Sequence, residues 1–181
     1  KNKCYIQQGL CNSNPDVDAI YRLINKKINI VFKSNLKIGI SNQSISAFNS
    51  QNTTWFKEAF PLLYLPSYCS MRATDIWRSF IAQRVIFNDK KELMYHSSNV
   101  YQKRNPHILM KDFKDEVPVY TNTESMNFAL KNIKLKKGIN NYLPNIVKCY
   151  EELCNKGYFP KKEMFLVKAW EKDFLKLTKS T

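Results

Sequence analysis

The chain has 181 residues, of which 44% are hydrophobic, 24% charged and 13% aromatic, a globular mixture with room for one core of ordinary size. It excludes both general disorder and two full catalytic domains. Lys and Arg number 29 against 15 Asp and Glu, a formal charge of +14 that directs attention to an anionic partner, and the longest apolar run, residues 59–65, is broken by Pro61 and falls short of the roughly 18 residues of a membrane span.

The first residue is Lys1, and residues 1–10 have the character of neither a signal peptide nor a transit peptide, so further chain upstream is expected. Residues 3–10 read as a short strand and 11–15 as a loop. Residues 28–32 read as a second short strand, 37–45 as a loop with a strand-like piece, and 46–54 as a polar turn leading into a strand at Trp55. A short helix is expected over 57–63 and an irregular run over 66–72. Thr74 and Asp75 then stand at a helix start. Ile76, Trp77, Phe80, Ile81 and Val85 recur at helical spacing, with Arg78, Gln83 and Arg84 left for other faces. Residues 92–100 return as a strand and 101–116 read as a mixed loop. The last third is helical: 123–135 with Asn122 or Thr123 as cap, and 143–155 with Ile146, Val147, Tyr150 and Leu153 on one side and Gly157 as a left-handed C-cap. Pro160 opens a final helix whose expected buried stripe is Phe165, Leu166, Ala169, Trp170 and Phe174. The pattern predicts an α/β region followed by an all-α tail.

Five cysteines without a Cys-x-x-Cys pair, and only two histidines, argue against a zinc ribbon or a dense disulfide framework; Cys149 and Cys154 read as core fillers. Asn42-Gln-Ser44 and Asn52-Thr-Thr54 are glycosylation triplets if the chain is secretory. With four glycines in all, a Gly-rich phosphate loop is absent. Several constellations carry chemistry, each beside a plainer structural reading. Asp16 and Asp18 share a face on a strand and suit a divalent ion, or else they open a short helix. Asp75 stands three residues from Arg72 and from Arg78, placed to accept a proton from a bound hydroxyl, or else to cap its helix with the arginines as scaffolding. His107, in a loop-like stretch before Asp112, Asp115 and Glu116, is either a metal ligand or a hydrogen-bonded anchor. The amide-rich run from Phe48 to Thr54, before Trp55 and Phe56, suits the grip of a sugar or simply forms a turn. The lysines at 131, 134, 136, 137, 161, 162 and 168 are solvated helix faces or a docking surface for phosphates and acidic partners.

Seven stretches carry a resemblance. They are Gln8-Gly-Leu10, Asn14-Pro-Asp-Val-Asp-Ala-Ile-Tyr-Arg-Leu23, Phe48-Asn-Ser-Gln-Asn-Thr53, Arg72-Ala-Thr-Asp-Ile-Trp-Arg78 with Ala82-Gln-Arg84, Gln102-Lys-Arg-Asn-Pro-His107, Asp112-Phe-Lys-Asp-Glu116 and Leu166-Val-Lys-Ala-Trp-Glu-Lys-Asp-Phe174. In this order they cover nearly the whole chain, which resembles the STELLO-type glycosyltransferases and, more distantly, the reversibly glycosylated polypeptides. The resemblance implies the distal, acceptor-side part of a GT-A-like glycosyltransferase fold over residues 1–120, followed by a helical extension over 121–181. A nucleotide-binding half with an Asp-x-Asp motif is implied before Lys1, so that Asp16 and Asp18 are not that motif.

By the same resemblance Asp75 is the base of an inverting transfer, His107 completes a site for Mn²⁺ or Mg²⁺, and Arg72 and Arg78 stabilise the departing diphosphate or orient Asp75. Asn49, Gln51 and Asn52 touch sugar, and Trp77 joins the substrate-binding set. The implied reaction moves a sugar from a nucleotide-sugar donor to a glycan or other hydroxyl acceptor. The alternative is a non-catalytic relative that binds a partner protein, since STELLO-type proteins are associated with cellulose-synthase complexes in plants. An anchored eukaryotic member places this region in the Golgi lumen, a bacterial or viral one in the cytoplasm. Nucleic acid is not expected, because the basic residues are spread out and no recognised motif is present. The chain departs from the family pattern at Cys11-Asn-Ser-Asn14, where an acidic, Gly-containing loop is usual, and at Ser79 and Ile81, where Gly and an aromatic are common.

Overall fold

The computed structural model describes residues 4–25, 27–42 and 44–179; Lys3, the expected start of the first strand, lies outside them. Strand β1 (Ile6–Ser13) is followed by helix α1 (Ala19–Ile24), strands β2 (Lys37–Ile40) and β3 (Thr53–Trp55), and a 3₁₀ turn at Lys57–Leu63. Helix α2 (Thr74–Asn88), strand β4 (Leu93–Gln102) and the helices α3 (Leu109–Lys131), α4 (Tyr142–Asn155) and α5 (Glu163–Lys179) complete the chain. The strands form one sheet in the order β2-β4-β1-β3, with β1 parallel to β4 and both outer strands antiparallel to their neighbours. A parallel pair needs a crossover, and α2 lies in the one between β1 and β4. This four-stranded α/β sheet with packed helices is consistent with part of a GT-A-like glycosyltransferase domain.

β1 runs on through Cys11–Ser13, expected as a loop, because Asn12 and Ser13 stay in register with Tyr101 and Gln102 after an irregularity between Gly9 and Cys11. Glycine is required at 9: a Cβ there would lie 2.2 Å from Asn52 Nδ2, which is held by Leu10 O and Asn99 Oδ1. The stretch 28–32 yields only an isolated bridge between Ile30 and Ser13. α1 begins at Ala19 because Asp18 Oδ1 accepts from Tyr21 N–H, the helix-opening reading of that acidic pair.

Helix α2 is buried almost all round, unlike the one-sided helix expected. Arg78, Ser79 and Gln83 are buried beside Trp77, Phe80 and Ile81. These polar groups have partners in the loop that lies over the helix. Gln83 donates to Ser46 O at 2.8 Å and accepts from Ser46 N–H at 3.1 Å, while Ser79 Oγ accepts from Phe48 N–H at 3.3 Å. Helix and loop 46–52 thus form one unit.

α3 replaces both the loop expected up to Glu116 and the separate helix expected from 123. It runs from Leu109 across Pro118 and on through the 120/121 division without a break. Thr121 Oγ1, Asn122 Nδ2 and Thr123 Oγ1 each donate to the carbonyl four residues back, so a polar run expected to hold a helix cap is absorbed into the helix. Met126, Ala129 and Leu130 of α3 join α2, α4 and Phe159 in a single core. In α5 the buried stripe is displaced from the one expected: Glu163 and Val167 are fully buried, with Trp170 and Phe174 half-buried, while Phe165 is 79% exposed. Residues 163, 167, 170 and 174 keep helical spacing, and a buried carboxylate shifted the phase. Gly157 has φ +82°, as the C-cap of α4 requires, and all five cysteines are free thiols. Among the described residues no helix is long and apolar enough to cross a membrane.

Candidate functional site

Asp75 lies in the first turn of α2, where the helix dipole favours a carboxylate. It does not cap its own helix. Ala73 occupies the cap position, Thr74 Oγ1 donates to Pro66 O at 2.6 Å, and Asp75 Oδ2 instead accepts from Ser50 N–H of the overlying loop at 2.8 Å. The loop is tied to its surroundings where Gln51 Oε1 accepts from Asp16 N–H at 3.1 Å and Thr53 Oγ1 donates to Gln8 Oε1 at 2.8 Å, and it is braced internally where Asn49 Oδ1 accepts from Gln51 N–H at 3.1 Å.

Beside Asp75 a network of charges centres on Arg72. Its guanidinium pairs with Asp112, and lies 3.7 Å from Asp16 Oδ1 and 3.8 Å from Glu116 Oε1. Burial works against the Arg72 charge, but Asp112, Asp16 and Glu116 outweigh it and raise its pKa. For Asp112 burial pushes upward, yet Arg72 and His107 prevail and hold the carboxyl below its ordinary value. Arg104 Nη1 meets Asp16 Oδ1 at 2.6 Å, and His107 Nδ1 lies 3.1 Å from Asp112 Oδ2 and 3.4 Å from Arg72 Nη2. On the α1 side, Glu116 Oε2 accepts from Ala19 N–H at 2.7 Å and from the Tyr120 hydroxyl at 2.6 Å. Burial and the Glu116 carboxylate together raise the Tyr120 phenol.

Two clefts flank this network, and Asp16 and Asp75 line both. The first, about 280 Å³, is walled by Val17, Met71, Ile76 and Val119 together with Asp18, Glu116 and Tyr120. The second, about 620 Å³ and more open, carries Lys103, Arg104 and His107 opposite Ser50 and Gln51. The first has apolar walls around its charges, Arg72 among them; in the second, Lys103, Arg104 and His107 stand beside the carboxylates of Asp16 and Asp75.

The sequence-predicted residues divide accordingly. Asn49, Gln51, Arg72, Asp75 and His107 converge on the clefts. Asn52 is half-buried over Gly9, bonded to Leu10 and Asn99, and lines neither. Trp77 faces the core, edge-on to Phe159 with ring centroids 5.2 Å apart. Arg78 is buried 4.9 Å over the Trp55 ring, and burial lowers its pKa. It reaches Asp75 only indirectly, by donating to Ser50 Oγ at 2.9 Å. Asp16, read from the sequence only as half of an acidic pair, joins this network, and Arg104, Asp112, Glu116 and Tyr120 are members to which sequence reasoning gave no role. The last three recur at i, i+4 and i+8, a spacing that places them on one face once the segment is read as helix.

A divalent ion does not fit this donor set. Among the described residues no group of three or more His, Cys, Asp or Glu side chains is placed to hold a metal, and the centre that Asp16, Asp112 and Glu116 surround is filled by the Arg72 guanidinium.

The model of the family described as STELLO glycosyltransferases matches residues 72–180, which takes in Arg72, Asp75, His107, Asp112 and Glu116. Two Arabidopsis thaliana proteins, named Probable glycosyltransferase STELLO2 and Probable glycosyltransferase STELLO1, are 25% and 22% identical over 178 residues. Each alignment covers 96% of this chain and 23% of the relative, so the chain spans less than a quarter of their length. With more than half of its residues matched by the family model, the chain belongs to the STELLO glycosyltransferase family.

Proposed function

We propose that this chain supplies the acceptor side of a glycosyltransferase that moves a sugar from a nucleotide-sugar donor to a hydroxyl acceptor. The observation that carries the reading is the position of Asp75 on two clefts at once, one with apolar walls and one lined by Lys103 and His107, with Oδ2 fixed by Ser50 N–H. Oδ1 then takes the proton of an acceptor hydroxyl in the first cleft as that oxygen bonds to the anomeric carbon. The bond from the anomeric carbon to the diphosphate oxygen breaks, and the leaving charge meets Lys103 in the second cleft, Arg104 being held by Asp16. Asn49 and Gln51 offer amides to sugar hydroxyls at the edge between them. Arg72 acts as the keystone of the carboxylate network rather than as a free phosphate ligand. No step is routed through a metal. Dependence on Mn²⁺ or Mg²⁺ would require ligands from beyond this donor set, and a chelator reads it separately.

The test is direct. The protein carrying this chain is incubated with a panel of nucleotide sugars and hydroxyl acceptors, and the product's anomeric configuration is read by proton NMR. A base at Asp75 predicts transfer with inversion. Retention of configuration, or no turnover with any donor, would contradict the proposal.

A further inference from the structure

The proposed reaction leaves one buried carboxylate unused. Glu163, the first residue of α5, is 0% exposed, and burying a charge costs free energy unless its lone pairs are met. They are met by donors from a single segment: the Tyr64 hydroxyl, Ser67 N–H at 3.1 and 3.2 Å, and Tyr68 N–H at 2.9 Å. That segment runs directly into Arg72 and Asp75. It is irregular, so no helix or ladder satisfies its N–H groups, and the carboxylate sets its path. Other contacts brace the same run. Thr74 Oγ1 closes it onto Pro66 O at 2.6 Å, Ser70 Oγ ties it to Asp115 O of α3 at 2.5 Å, and Lys162 Nζ lies 4.1 Å over the Tyr68 ring. Burial first, and the Glu163 carboxylate second, push the Tyr64 phenol well above its usual range, so it remains a donor.

We infer that Glu163 is a positioning residue for the transfer reaction: through Tyr64, Ser67 and Tyr68 it holds the segment that delivers Arg72 and Asp75 to the clefts. The inference rests on the proposed reaction and adds to it a role for the C-terminal helix, remote in sequence from the base. The result is a mechanical link from α5 to the first turn of α2.

The test compares Glu163→Ala and Glu163→Gln with wild type in the protein carrying this chain, with rates normalised to the folded fraction. Misplacing a base by an ångström costs about 10²-fold at most, so Glu163→Ala is expected to lower kcat about 10- to 100-fold while donor KM changes less than about twofold. Glu163→Gln keeps one accepting oxygen and falls between, which preserves the test if the alanine variant fails to fold. A kcat per folded molecule equal to wild type in either variant that folds overturns the inference. If wild type itself transfers no sugar, the reaction proposal fails on its own, and amide hydrogen exchange decides the positioning claim. Faster exchange confined to residues 66–76 in the variants supports it; unchanged exchange, or a uniform rise through α2 and α4, overturns it.

Discussion

Arg72 satisfies Asp112 and lies within 4 Å of two further carboxylates, which makes it the residue on which the site's electrostatics turn. Truncating it leaves buried carboxylates without their cation, the costly half of breaking an ion pair. Arg72→Met is expected to lower stability at neutral pH by about 2 kcal/mol, measured by urea unfolding. The pH dependence has a definite sign. Asp112 has a folded pKa depressed below its ordinary value, so its contribution is fully present above the unfolded range near pH 4 and is lost as pH falls through the lower folded value. Without Arg72, only His107 still opposes the burial that raises Asp112, so its folded pKa moves up towards or past the unfolded value and less stability is lost on acidification: the deficit of Arg72→Met is largest near neutral pH and shrinks as pH falls through the carboxylate range. An unfolding midpoint with the same pH profile in both proteins would contradict this.

α3 carries Glu116 and Tyr120 to the first cleft and Asp112 to Arg72, and it does so as one helix despite Pro118. An internal proline removes the bond to the carbonyl four residues back and costs about 3 kcal/mol relative to alanine, part of which returns through the stiffer unfolded chain. Pro118→Ala is therefore expected to raise stability by about 2 kcal/mol in urea or thermal unfolding; a loss of stability would show that the proline sets a bend the packing needs. This helix also shows where sequence reading reached its limit. The apolar positions of α2 and α4 mark those helices well. In α3 the sequence marks Asn122 or Thr123 as the cap of a helix starting at 123, and only the side-chain bonds to carbonyls four residues back reveal why the helix runs through them. Reading 109–116 as loop then hid the shared face of Asp112, Glu116 and Tyr120. In α5 the misplaced stripe has a matching cause, because a glutamate at a buried position cannot be foreseen until its donors, far away in sequence at 64–68, are known.

The whole molecule joins a basic exterior to a mixed-charge site. The lysines at 131, 134, 136, 137, 161, 162 and 168 are exposed, as solvated faces should be, while the charges that pair at the clefts come from the turn between β1 and α1, the segments just before α2 and just after β4, and α3. Asn49, Gln51, Arg72, Asp75 and His107, singled out from the sequence, all line the clefts, because polar groups in irregular runs or at a helix start have few packing roles elsewhere. Sequence alone misjudged the surroundings of Trp77 and Arg78, because α2 is enclosed on all sides and a helix with no wet face gives no polar stripe to read. The α/β sheet and the helical C-terminal part were legible; the way α5 reaches back to the segment before Asp75 was not.

The central claim is that Asp75 accepts the acceptor's proton. The measurement that tests it most directly is the transfer rate of Asp75→Asn in the protein carrying this chain, with folding verified by unfolding midpoint. Asparagine keeps an oxygen for Ser50 N–H but is not a base, so kcat is expected to fall about 10²- to 10⁴-fold while the fold is preserved. Transfer at the wild-type rate by a folded Asp75→Asn variant would contradict the account.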